Sequence, residues 1–411
     1  MYWSLVGFDK PKNPRDPGDP AYNWYGYDTA IANAARMGFG VDLTVLAAPR
    51  WAEGPKRPRV NDLAPAGSWK PDASDFGDFA HAVATRYSGE YEYGGETLPR
   101  VEYFEAWNEP NLHTYITPQF NGRRNVSAAV YVRLLNAFYE GVKGVDPTMQ
   151  VVAGGTSPYG DPPAERSTNT APLLFYRELL CLNKKLQKTG CAGGQRAKFD
   201  VIAHHPINRE DPPTAHADGP DEIQIGDFDE LTKTLRRAEK QGTTGTPGRH
   251  DLWANEIWWQ TDPPDPQEGI SLKTHARWTA QALYLLWKQG ATNVSFLQVR
   301  DAKYTPGEST LESYQTGIYT AAGKRKPAAI AVAFPFVTDR RSNRNLLAWG
   351  IAPKSGKLTI EAKKGGGRYR PLTTVRVRED AIFTKRLRQA GELKLRARIG
   401  GKRSLVWEQH D

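Results

Sequence analysis

Only two cysteines and three methionines occur among the 411 residues, and no apolar run approaches the roughly 18 residues that a membrane-spanning helix needs. Mean hydropathy is −0.62, so a helical membrane protein is excluded. Two cysteines are too few for a disulfide-built scaffold. With no His or Cys at ligand spacing beside them, they form no zinc site either. Internal repeats and low-complexity stretches are missing, and so is any motif that reads a nucleic-acid groove, which removes that class of partner. The opening Met1-Tyr2-Trp3-Ser4-Leu5-Val6-Gly7 has neither a basic n-region nor an apolar h-region, so no export signal is visible.

Cys181 and Cys191 lie ten residues apart, one at the end of a helical pattern and one in the glycine-containing loop after it. A local disulfide there would pin the helix exit and imply an oxidising compartment, hence a secreted protein whose signal is not part of this sequence. Two reduced, buried thiols are the alternative. The net charge of +9 is unevenly spread, because residues 340–411 hold 19 Lys and Arg against 6 Asp and Glu. Such a basic tail either attracts an anionic glycan or cell surface, or is a well-solvated β-domain face.

At 411 residues the chain exceeds the roughly 250 of an ordinary (β/α)₈ barrel and leaves room for a small module. Helix-period stretches at Tyr25–Met37, Ala73–Tyr87, Ser127–Val145, Pro172–Leu186, Phe228–Gln241 and Leu272–Gln289 alternate with apolar runs. Those runs are Val41–Ala47, Val101–Trp107, Gln150–Ala153, Phe199–His204, Asp251–Ala254 and Ala291–Gln298. Alternation of this kind predicts a parallel sheet with crossover helices, and continuous apolar runs are what strands buried on both faces require. After a last helix at Pro327–Phe336 the texture changes to short alternating strands, Lys357–Lys363, Thr373–Arg378, Leu393–Ile399 and Ser404–Trp407, with a glycine turn from Gly365. The expected architecture is a (β/α)₈ TIM barrel over residues 1–338 and a basic antiparallel β-sandwich over 339–411.

Each predicted barrel strand ends in polar, aromatic or Pro/Gly residues, the face where such barrels carry their chemistry. Two glutamates stand there: Glu109 in Phe104-Glu105-Ala106-Trp107-Asn108-Glu109-Pro110-Asn111, and Glu256 in Leu252-Trp253-Ala254-Asn255-Glu256-Ile257-Trp258-Trp259. Two carboxyl groups flanking a bond are what glycoside hydrolysis needs, one to protonate the leaving oxygen and one to meet the developing oxocarbenium ion. The Trp107–Asn111 motif, with a second strand-end glutamate far downstream, resembles clan A of the glycoside hydrolases, closest to families five and thirty-nine. That resemblance implies a retaining O-glycosidase in which Asn108 and Glu109 end strand four, Glu109 is the general acid/base, and Glu256 ends strand seven as the nucleophile. A carbohydrate is then the substrate, and two carboxyl groups and water suffice without metal or organic cofactor.

The acid must keep its proton near neutral pH, which a nearby anionic Glu256 and burial beside Trp107 favour. Asn108 is placed to bond a sugar 2-hydroxyl. Of His204 and His205 only one faces the barrel interior, because strand neighbours point to opposite sides, and His205 is the candidate. Trp51, Trp258 and Trp259 are candidate sugar platforms, Gln298 is a candidate hydroxyl partner, and all four suit packing roles equally well. The sequence departs from the clan in having Ile207 where many relatives carry a tyrosine. Counting back from Glu109 makes Tyr2–Val6 the end of strand two, so the barrel is expected to lack its first strand and helix or to fill the gap with another segment. A transglycosidase on the same two glutamates, and a glycan-binding protein without catalysis, remain as alternatives.

Overall fold

The computed structural model describes residues 1–60, 63–162, 168–308 and 313–410. The chain forms two compact units, the first of Met1–Ile207, His216–Glu256 and Gly290–Asn293, the second of Asn208–Ala215, Ile257–Gln289 and Val294–Asp411. The second unit therefore takes in more of the chain than the β-rich tail.

In the first unit, five strands run parallel in chain order: β1 (Asp42–Val45), β2 (Tyr103–Ala106), β3 (Gln150–Thr156), β4 (Val201–His204) and β5 (Asp251–Ile257). Helices α1 (Trp3–Val6) and α2 (Tyr25–Arg36) precede β1. The crossovers carry α3 (Ala73–Arg86), α4 (Ser127–Lys143), α5 (Pro172–Leu179) and α6 (Phe228–Gln241), giving the curled, half-barrel part of a β/α barrel. Local chemistry sets the helix ends. The Asp72 carboxylate accepts the Asp75 amide at 3.0 Å at the start of α3, and Gly242 closes α6 at φ 61°. Glycine also sets the spacing of α3 and α4, since a Cβ on Gly77 would lie 2.8 Å from the Ala137 carbonyl. Buried Phe76, Phe79 and Val83 line that face of α3, each contributing about 1.5–3 kcal/mol.

Two expectations about the first unit fail. Tyr2–Val6 is not a strand: Tyr2 alone pairs in parallel with Leu46, and Trp3–Val6 is one helical turn. Its buried residues, Trp3 and Val6, are three apart, a helical spacing. Trp3 lies 5.5 Å from both Phe76 and Phe79. Helix α5 stops at Leu179, not Leu186, and Cys181 follows at φ 55°. Cys181 is bonded to Cys191, the predicted disulfide.

The second unit contains α7 (Leu272–Gln289), then β6 (Asn293–Phe296), whose first residue belongs to the first unit, and α8 (Ala328–Ala333). Six longer strands follow: β7 (Phe336–Ser342), β8 (Asn345–Ile351), β9 (Gly356–Lys363), β10 (Arg370–Val377), β11 (Ile382–Arg388) and β12 (Leu393–Ile399). They form two antiparallel sheets, β7-β8-β11 and β10-β9-β12, the latter extended by Lys402–Arg403 and by β13 (Trp407–Gln409). Both sheets supply one apolar core that includes Trp349, Leu346, Leu358, Ile360 and Leu395, which makes them a sandwich. The whole β7-β8-β11 sheet was hidden in the sequence, because Asp-Arg-Arg and Lys-Arg segments interrupt its alternation. The last strand starts at Trp407 and not at Ser404, whose hydroxyl instead accepts the Ala397 amide at 2.9 Å.

Candidate active site

The end of β2 is bent out of regular geometry. Trp107 has φ 74° and Glu109 φ 37°, left-handed values that cost a non-glycine residue about 1–3 kcal/mol each and persist only where surroundings impose them. The surroundings are identifiable. The Trp107 amide donates to Val45 O at 2.9 Å and its indole N–H to Tyr115 O at 2.9 Å, while the fully buried ring meets Phe76 edge-on at 5.2 Å. The Glu109 amide donates to Gly155 O, and the Leu112 amide donates back to Glu109 O, both at 2.9 Å. Asn111, fully buried, accepts the Ser157 amide and donates to the Ser157, Tyr159 and Thr170 carbonyls. The motif residues around Glu109 thus weld the loops after β2 and β3 together.

Opposite this bend, β3 carries a bulge. Ala153 pairs with Ile202 and Thr156 with His204, leaving Gly154 and Gly155 against Ala203 alone. A Cβ on Gly155 would overlap the His205 ring, so only glycine leaves the imidazole its place. His205 follows β4 and points inward, whereas His204 points the other way, bonding Thr156 Oγ1 at 2.9 Å and Ile223 O at 3.0 Å. Burial holds His204 neutral, with its pKa pulled down to about 3.

His205 Nδ1 donates to Glu109 Oε1 at 3.1 Å and lies 3.8 Å from Glu256 Oε2. These two oxygens are therefore less than about 7 Å apart. Burial pulls the His205 pKa down, but the charges of Glu256, Glu109 and Glu105 outweigh it and raise it to about 9. At neutral pH the ring is an imidazolium. Glu256 lies within β5, which runs three residues beyond the predicted Ala254 end. The Asn108 side chain bonds Tyr115, whose phenol is held well above its ordinary pKa by burial and then by the charge of Glu109, so it stays a neutral donor.

Three of these residues carried little or no signal in the sequence. Glu105, a buried charge in an otherwise apolar strand, was visible but unassigned. Tyr115 and Asn255 reach the site only through loop and register geometry. Of the predicted platforms, Trp51 is half-buried, donates its N–H to Gly7 O at 2.9 Å and meets Trp3 edge-on at 5.6 Å. Trp258, Trp259 and Gln298 belong largely to the second unit. Trp259 is no platform: it is fully buried, bonded to Asp211 O at 3.0 Å and packed on Trp278, with no ring face left for a sugar. Trp258 lies 5.2 Å from Tyr314, and Gln298, at φ 66°, accepts from Thr316 Oγ1 at 3.4 Å.

No family model matches the sequence, and no curated protein does. Solved structures do. A β-xylosidase from Caulobacter crescentus is similar with a TM-score of 0.51 at 15% identity, over 97% of this chain and 87% of that one. A glucosidase from Croceicoccus marinus is similar with a TM-score of 0.50 at 12% identity, over 96% and 88%. At these identities the likeness is one of fold, and the chain has the TIM-barrel fold that these glycosidases share.

Proposed function

We propose that the protein is a retaining glycoside hydrolase that cleaves an O-glycosidic bond by double displacement. The observation that carries this reading is the convergence of Glu109 and Glu256 on one imidazole nitrogen, at 3.1 and 3.8 Å. Glu256, exposed by 26%, is the nucleophile that meets the anomeric carbon as the leaving group departs. Glu109, tied through Oε1 to His205, keeps its other oxygen for the proton that goes to the leaving oxygen. After the glycosyl ester forms, Glu109 takes the proton from the attacking water. Tyr115 and Asn108 are the neutral donors beside the pair, suited to sugar hydroxyls.

The glucosidase and β-xylosidase among the structural neighbours support a carbohydrate substrate. The Cys181–Cys191 disulfide supports secretion into an oxidising compartment. We assign catalysis to residues 1–338, and to the basic 339–411 segment a contact with anionic glycans or a cell surface. A screen of aryl glycosides, with the product anomer read by NMR, tests the activity. Glu256→Ala should lose at least about 10⁴-fold in kcat, the order that loss of a nucleophile costs, with azide restoring part of it as a glycosyl azide. Full turnover in Glu256→Ala or Glu109→Ala would remove the assignment, and an inverted product would remove double displacement.

A further inference from the structure

Beneath the two glutamates lies a third carboxylate to which the reaction itself assigns no role. Glu105 is 2% exposed, on the inward face of β2, directly above the interior layer of Tyr103, Val152, Val201, Ala203 and Trp253. Its Oε2 accepts the Thr44 hydroxyl at 2.6 Å. Its Oε1 accepts both the Gly155 amide and the Asn255 side-chain amide, each at 2.9 Å. One side chain thus joins β1, β2, β3 and β5.

The destinations of those bonds matter more than their number. The Gly155 carbonyl receives the Glu109 amide at 2.9 Å, so Glu105 holds the peptide that fixes the strained turn at Glu109. Asn255 precedes Glu256 in the chain. Only the nitrogen end of its carboxamide donates to a carboxylate, so Glu105 also sets the orientation of that side chain, whose Oδ1 has no partner. A buried carboxylate is expensive unless paired. A glutamine keeps the two Oε1 contacts and, with the Thr44 hydroxyl turned to accept its N–H, the third. What the carboxylate adds is charge, and it faces His205, the imidazolium shared by Glu109 and Glu256.

We propose that Glu105 is the positioning residue of this site, fixing the separation of Glu109 and Glu256 through Gly155 and Asn255. The assignment rests on the glycosidase reading. The ionisable groups facing His205 are Glu109, Glu256 and Glu105, with His204 adjacent in the chain. The charge of Glu105 is one of those that hold the His205 pKa up at about 9.

The test separates charge from shape. Glu105→Gln keeps the side-chain outline and, with the Thr44 hydroxyl turned, its contacts. It should lower kcat by about 10- to 100-fold with KM within about two-fold, the size expected when reacting groups shift by a fraction of an ångström. NMR titration of the His205 ring should show its pKa falling, and the alkaline limb of the kcat profile should move down with it. Thr44→Val removes one of the three bonds and no charge, so kcat should fall only about three- to ten-fold with the His205 titration unmoved. Wild-type kcat and wild-type His205 titration in Glu105→Gln would overturn the proposal. If that variant does not fold, unchanged kcat in both Thr44→Val and Asn255→Ser would overturn it. The titration needs no turnover, so a wild-type chain inactive on every glycoside would defeat the glycosidase reading while leaving the control of His205 by Glu105 measurable.

Discussion

The strand ends of the first unit and the sheets of the second place their charges in opposite ways. In the sandwich, β12 alternates strictly, with Leu393, Leu395, Ala397 and Ile399 inward and Lys394, Arg396 and Arg398 outward. There the buried Glu361 takes Arg396 at 2.9 Å and Arg398 at 2.6 Å, the latter half exposed, and Tyr369 covers Arg396 at 3.8 Å. At the ends of β2, β4 and β5 the charged groups Glu109, His205 and Glu256 converge instead. A β-structure that keeps its charges outside is made for stability. One that buries a carboxylate and an imidazole beneath two further glutamates gives up stability for a fixed arrangement of charge.

Glycine substitution should widen this contrast most. Gly155→Ala drives a methyl into the His205 ring, whereas Gly366→Ala in the second unit meets nothing within 4 Å. The first should lose at least about 10²-fold in kcat through displacement of His205, and the second should leave unfolding within about 0.5 kcal/mol of wild type. Steady-state kinetics and denaturant unfolding on the two variants check this, and equal behaviour would erase the distinction.

The next effect is in pH. The folded chain holds the His205 proton to about pH 9, above the unfolded value of about 6.5. Its stabilisation, on the order of 3 kcal/mol, is therefore complete below about pH 6.5 and disappears as pH rises through about 9. His204 has the opposite sign: neutral in the fold down to about pH 3, it costs stability as pH falls below about 6.5. Denaturant midpoints from pH 4 to 10 should fall on both sides, and His205→Gln should flatten the alkaline side alone.

The smallest effect belongs to the sandwich surface. Glu361→Gln removes an acceptor from Arg396 and Arg398, of which Arg398 is half exposed, so the cost should stay near 1 kcal/mol and shrink further in about 0.5 M salt. A loss several times larger would show that outward charges in this unit carry more than solubility.

Much of this was legible in the residues themselves. The βα alternation placed β1 to β5 and their helices within a few residues, apart from the end of α5, and α6 and α7 to the residue, because apolar periodicity is a local property. The strand-end motif named Glu109 and Glu256, and alternation along β4 separated His205 from His204. The expected strand at the opening rested on a short apolar run and a count back from Glu109, whereas Trp3 and Val6, three apart, share one face only in a helical turn, which packs Trp3 on Phe76 and Phe79.

Sequence by itself determined the order of the elements, the strand-end positions of two candidate glutamates, the nearness of Cys181 to Cys191 in the chain and the basic character of the tail. All of these rest on neighbours in the chain or on composition. Tertiary structure alone decided that Trp259 is core, that Tyr115 stands beside Glu109, and that Thr44, Gly155 and Asn255 meet on Glu105. The contacts on Glu105 join residues 50 to 150 positions apart, and the geometry of the site depends on a one-residue bulge in β3 and two left-handed residues after β2. Neither feature has a sequence signature, because each is imposed by the packing around it.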